Sequence, residues 1–112
     1  MDILKRFYFI YILYMKSQKL RLAHPDKIPI IVKNNKTKET MKYLVQERIS
    51  LCQFLLILRK KINLSEEEGL YIYANDHVLI DMTFPMIEIY NRHKNEKDGL
   101  LYLTITGENV FG

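Results

Sequence analysis

The chain has 112 residues, 48% of them hydrophobic, and a single cysteine. That length makes about one small domain with one core, and one cysteine makes no internal disulfide, so the cytosol is the default compartment. With only 4 Gly and 3 Pro, low-complexity tails are excluded along with multidomain enzymes and disulfide scaffolds. The net charge of +4 is uneven: residues 1–62 hold fourteen Lys and Arg against four Asp and Glu, and residues 63–112 hold three against nine. A basic half and an acidic half suggest two faces with different partners. Nucleic acid or an anionic membrane would account for the basic half, but no block of five like charges occurs, so solvated lysines on a small soluble domain are the favoured reading.

At the amino terminus, Phe7 to Met15 is an unbroken apolar run preceded by Lys5 and Arg6. Nine residues are too few to span a bilayer, which takes about 20. Length and basic flank fit a secretory signal, but Asp2 weakens the flank and no small-residue cleavage site follows; Arg21-Leu22-Ala23 is a poor one. A helix packed on the domain, a partner- or membrane-seeking helix and a cleaved signal all stay open.

The β-branched run Ile28-Pro29-Ile30-Ile31-Val32 reads as a strand. Pro29, lacking an N–H, belongs near its start. Polar residues 34–40 make a turn, and Met41 to Gln46 a second strand, completing a hairpin. Ser50 followed by Gln53 is a capping box opening a helix, with Leu51, Phe54, Leu55, Leu58 and Ile62 on one face. Arg59, Lys60 and Lys61 complement the dipole at its end, and Asn63 is a plausible stop. Leu70 to Ala74 is a third strand, closed by Asn75-Asp76; Phe84 to Tyr90 is a short helix with Pro85 early in it. Leu100 to Thr106 is the fourth strand, and residues 107–112 trail off as a tail. Hairpin, helix, strand, short helix, strand is the order of an α+β, β-grasp domain: a four-stranded mixed sheet with a crossing helix. The chain divides into an extension (1–23), this domain (24–107) and a tail (108–112).

Catalytic chemistry is hard to find. His24, His77 and His93 lack a partnering His or Cys at helical spacing, so no metal site is expected. Cys52 sits in the apolar helix, where a cysteine is usually a small buried hydrophobe. Glu66-Glu67-Glu68 reads as solvated, and the scattered glycines form no phosphate loop. No enzyme and no cofactor are expected.

Six stretches in one collinear order carry a resemblance. They are His24 to Val32, Lys42 to Val45, Gln53-Phe54 with Leu58 to Ile62, Ile89-Tyr90 with His93-Lys94, Asp98 to Tyr102, and Gly107 to Gly112. Each is weak alone; together, across about residues 19–112, they are similar to the autophagy ubiquitin-like modifiers of the GABARAP type. The resemblance implies a tag whose C-terminal glycine, here Gly112, is adenylated, passed as a thioester between activating and conjugating enzymes, and joined to phosphatidylethanolamine by an amide. With Gly112 as the last residue, no protease would be needed to expose it, and a chain already trimmed to its mature form would read the same; deconjugating enzymes are implied partners. The implied location is cytoplasmic, and autophagosomal or a related membrane once lipidated.

The resemblance also implies binding of aromatic-x-x-aliphatic segments in cargo receptors by strand addition. Carried over by position, Leu20, Pro29, Ile31, Lys42, Leu44 and Leu100 would line the aromatic pocket. Tyr43, Val45, Ile49, Leu51, Phe54, Ile57 and Leu58 would line the aliphatic one, unless they are plain core. Lys42, Arg59 and Lys61 would meet acidic flanks, and Tyr71 and Tyr73 would contact the conjugation enzymes on the opposite face. The sequence departs from the family pattern at Lys16, where an acid usually stands at the aromatic pocket's rim. It departs also at Leu100 for an aromatic, Gln46 for a proline, Cys52 for a glycine, and through Met1 to Met15. A non-conjugated module binding the same motifs is the alternative; nucleic-acid binding has no motif behind it.

Overall fold

The computed structural model describes residues 16, 18–62 and 68–109. They form β1 (Lys27–Asn34), β2 (Thr40–Gln46), α1 (Leu51–Ile62), β3 (Glu68–Ala74), β4 (His77–Val78), α2 (Met86–His93) and β5 (Leu101–Asn109), with residues 18–23 helical ahead of β1. The apolar run 7–15, the expected helix stop at Asn63 and the last three residues lie outside the described residues. No helix among the described residues is long and apolar enough to cross a membrane.

The strands form one mixed sheet in the order β2-β1-β5-β3-β4. The β1–β2 and β3–β5 pairs are antiparallel, while β1 and β5 run parallel side by side at its centre. A parallel pair needs a long crossover connection, and here it contains α1, β3, β4 and α2. This is the α+β arrangement expected, with one strand more. Pro29 pairs with Leu44 of β2, one position before the ladder with β5 begins at Ile30.

Period-two alternation decides what each strand buries. Ile28, Ile30, Val32, Val45, Ile72, Ala74, Leu101, Leu103 and Ile105 face a core closed by Leu51, Phe54, Leu55 and Leu58 of α1 and Met86, Ile89 and Tyr90 of α2. The α1 positions recur at intervals of three and four, as one helix face requires. Cys52 departs from the expectation: it is exposed, because that face is already taken by its neighbours at 51, 54, 55 and 58.

The capping box forms as read. The Ser50 N–H donates to Gln53 Oε1 (2.9 Å), and the Gln53 N–H donates to Ser50 Oγ (3.2 Å). The helix starts also cap one another through the loops between them. Leu51 and Cys52 donate to the carbonyls of Phe84 and Met82, while Met86 and Ile87 donate to those of Ile49 and Glu47. These satisfy the N–H groups that a helix start leaves without intrahelical partners. They also account for α2 beginning at Met86, after Pro85 as a cap residue without a side-chain bond, rather than at Phe84.

Two further differences have local causes. Asn75 and Asp76 both take positive φ, 49° and 65°, the backbone of a tight two-residue hairpin turn that Asn and Asp tolerate. The turn folds His77 and Val78 back onto Ala74 and Tyr73, making the fifth strand. The segment 107–109, expected as tail, continues β5, with Gly107, Glu108 and Asn109 opposite Leu70, Gly69 and Glu68. At the strand's other end Gly99, with φ of 74°, makes the turn into β5, a conformation glycine adopts without a Cβ penalty.

Candidate functional site

The face of the sheet turned away from α1 and α2 carries the alternate residues. Register places Ile31 beside Lys42 and Pro29 beside Leu44, and Ile31 beside Tyr102 on its other side. A cavity of about 120 Å³ opens here, lined by Lys16, Leu20, Pro29, Ile30, Ile31, Lys42, Tyr43 and Leu100. Five of the six expected aromatic-pocket residues therefore surround one cavity. Leu44 sits next to it, through its pairing with Pro29, without lining it. The walls are apolar apart from Lys16 and Lys42. β2 is the last strand on this side of the sheet, and an edge strand presents backbone donors and acceptors to an incoming segment.

What holds the cavity's far wall is Arg21, which sequence reasoning missed. Its guanidinium donates to the carbonyls of Lys27 and, at 3.4 Å, Pro25. It lies 4.0 Å from the Glu47 carboxylate and 5.5 Å from the centroid of the Tyr90 ring. One side chain on the helical segment 18–23 thus bridges β1, the loop after β2, and α2, next to Leu20. Burial raises the Tyr90 phenol above its ordinary pKa, with Arg21 acting in the opposite sense. The Tyr90 hydroxyl donates to the Gly99 carbonyl at 2.6 Å, fixing the turn that delivers Leu100. The buried Asp98 carboxylate accepts from the Leu100 N–H (2.9 Å) and from the Tyr102 hydroxyl. Burial first, then the Asp98 carboxylate, pushes the Tyr102 phenol far above its usual range.

The expected aliphatic set is divided by depth. Leu51, Phe54, Leu58 and Val45 belong to the core, Tyr43 and Ile49 are half-buried, and Ile57 is exposed. Tyr43 meets Phe54 edge to face, with centroids 5.5 Å apart, and burial raises its phenol's pKa. Of the cations assigned to acidic flanks, Lys42 and Lys61 are exposed and Arg59 is partly buried.

Tyr71 and Tyr73 share a side of β3, but not the side expected relative to the aromatic pocket. They stand beside Thr106 and Thr104 of β5, on the same face of the sheet as Ile31 and Lys42, two strands across from Ile31 and three from Lys42. Alternation alone could not reveal this, because it relates neighbours within a strand and not strands to each other. Tyr73 and Tyr102 line a shallow groove of about 520 Å³ there. His77 and His93, distant in sequence, line another concavity beside β4. No group of three metal-ligating side chains gathers among the described residues. Gly112 lies outside them, three positions beyond the end of β5.

The family model described as "Autophagy protein Atg8 ubiquitin like" matches residues 12–112. Over 102 residues the chain is 40% identical to Autophagy-related protein 8 of Schizosaccharomyces pombe, covering 87% of this chain and 83% of that one. It is 37% identical to the Emericella nidulans protein of the same name, over 87% and 85% of the two. The fold superimposes on the crystal structure of Trypanosoma brucei ATG8 with a TM-score of 0.78 at 33% identity, covering 92% and 91% of the two chains. The chain belongs to the Atg8 family of autophagy ubiquitin-like proteins.

Proposed function

We propose that the protein is a ubiquitin-like modifier joined through Gly112 to phosphatidylethanolamine on autophagic membranes, where it recruits partners bearing aromatic-x-x-aliphatic segments. The observation that carries the recruiting half is the cavity between Leu20 and the β1–β2 ladder beside an edge strand. A partner segment adds to β2 through its backbone and drops its aromatic side chain into the cavity. Its aliphatic anchor rests on the surface above Tyr43 and Ile49, with Phe54, Leu51 and Leu58 beneath as floor and Val45 and Ile57 beside them. Lys16 and Lys42 at the cavity, with Lys61 and Arg59 on α1, attract carboxylates flanking the motif. Binding of this kind is typically micromolar, about −8 kcal/mol.

The conjugating half rests on family membership. A terminal glycine offers an unhindered carboxyl and a backbone that threads narrow active sites. One amide bond then supplies two acyl chains, and two chains hold a protein on a bilayer where one does so marginally. The partners are the activating, conjugating and deconjugating enzymes, for which Tyr71 and Tyr73 offer contacts, and motif-bearing receptors. The chain is a tag rather than an enzyme, cytoplasmic until lipidated.

The test is titration of the isotopically labelled chain with a peptide holding an acid-flanked aromatic-x-x-leucine core, read by NMR. Shifts on residues 40–46, Leu20 and Leu100, lost in Ile31→Asp, support the reading. A shift map centred elsewhere refutes the assigned groove.

A further inference from the structure

At the opposite end of the sheet from β2, a concavity of about 230 Å³ opens beside β4. Its floor is Leu51 and Ile89, both buried in the core. At its mouth stand Val78 and Ile80, 44% and 82% exposed. Two branched aliphatic side chains held in water beside an apolar hollow form an apolar lip, and contiguous surface of this kind marks interaction sites. β4 is the terminal strand on this side, so the lip lies along a sheet edge.

The electrostatics of the hollow narrow the occupant. The Arg92 guanidinium carbon lies over the Phe84 ring, 5.0 Å from its centroid, a cation–π contact that leaves N–H donors for an acceptor. His77 and His93 line the same hollow. Burial, then His77, then Arg92 hold the His93 imidazole below its ordinary pKa, so the nearby side chains act on it as positive neighbours. The carboxylate at the rim, Asp81, is turned onto its own loop, accepting from the Thr83 N–H and hydroxyl.

We propose that this concavity is a second docking site, for a partner segment that inserts one branched aliphatic side chain and sets carboxylates against Arg92, His77 and His93. The site is separate from the β2 edge and does not depend on the function proposed for that edge. Its occupancy strengthens on acidification. His93 faces His77 from β4 and Arg92 from its own helix; Asp81 lines the same hollow, and Asn75 donates to the His93 carbonyl. Of these groups it is the His93 imidazole, held below its ordinary pKa by burial, whose protonation a bound carboxylate favours as pH falls, while a ligand carboxylate with pKa of about 4 stays ionised down to pH 5.5.

The experiment is an NMR titration of the full chain with the capped peptide Glu-Asp-Leu-Glu-Asp and its neutral counterpart Gln-Asn-Leu-Gln-Asn, at pH 7.5 and 5.5. The acidic peptide should shift amides of residues 77–81 and 92–93 with a Kd of about 0.1–1 mM, as a small weak ligand does. It should bind about threefold tighter at pH 5.5, and the neutral peptide about tenfold more weakly than the acidic one. Arg92→Gln should reproduce the loss, and Ile80→Ser should weaken both peptides, each leaving motif-peptide binding at β2 intact. Equal binding of the two peptides, indifference to Arg92→Gln, or shifts confined to the β2 edge would overturn the proposal. The chain itself holds Leu64 followed by Glu66 and Glu67. Shifts at residues 77–81 that grow with protein concentration without peptide would assign the hollow to a second copy, and would likewise overturn it.

Discussion

Replacing Arg21 by methionine keeps the length of the side chain and removes its charge and donors, which isolates what the guanidinium does. A charged donor on a backbone carbonyl is worth about 1.5–3 kcal/mol, and here the main acceptor is Lys27 O, with Pro25 O a weaker second. The Tyr90 ring at 5.5 Å adds about 0.5–1 kcal/mol. The Glu47 carboxylate at 4.0 Å, with both side chains partly exposed, adds at most about 1 kcal/mol after solvent screening. These interactions share one group and do not sum, so the loss should be about 2 kcal/mol. It falls on the attachment of the helical segment 18–23 and not on the core, in which Arg21 takes no part. The backbone bond from the His24 N–H to the Leu20 carbonyl, 2.8 Å, reports that attachment. Its hydrogen-exchange protection should fall about 30-fold, the equivalent of about 2 kcal/mol, while the core strands keep theirs. Because Leu20 moves with the segment, an aromatic-bearing peptide should bind more weakly. Arg21→Lys should recover part of the protection. Unchanged exchange at His24 in Arg21→Met would refute the reasoning: the segment would then be held by packing alone.

Other consequences follow from single groups. Lys16→Glu places a carboxylate at the aromatic cavity; affinity for an acid-flanked peptide should fall about 3-fold, the scale of one exposed charge pair, with a shallower salt dependence by calorimetry. Tyr102→Phe removes the hydroxyl that donates to buried Asp98. It should lower the unfolding free energy by about 1–3 kcal/mol in urea titrations. The lowered pKa of His93 gives stability a defined pH dependence. Between the folded value and the ordinary value of about 6.5 the unfolded chain binds more protons. Stability from this group is therefore complete above that ordinary value and is lost as pH falls toward the folded one. The urea midpoint should drop on acidification through this window in the native chain, and less in His93→Gln.

What was legible in the sequence was whatever local chemistry decides alone. Ser50 and Gln53 could be paired on paper because both halves of a capping box lie within one turn. The α1 core face followed from spacing, and the hairpin from two apolar runs around a polar turn. Burial depth was not legible: Val45 and Leu44 are adjacent and apolar, yet one is core and the other lies on the outer face. Only the register of β1 against β2 and β5 says which is which. The same register sets Tyr71 and Tyr73 on the face of the aromatic cavity, contrary to the expectation. β4 escaped notice since two residues carry no periodicity; its signal was the Asn75-Asp76 pair that makes the turn. Arg21 was invisible as a clamp because its acceptors and neighbours, Lys27, Glu47 and Tyr90, lie on three separate elements.

The central claim is that Gly112 is where a lipid is joined. The direct measurement is the intact mass of the purified chain after incubation with activating and conjugating enzymes, ATP and phosphatidylethanolamine liposomes, beside Gly112→Ala. The account predicts a gain of one lipid, less water, in the native chain and none in the variant. No gain, with the same enzymes active on another family member, would contradict it and leave a binding module that is never conjugated.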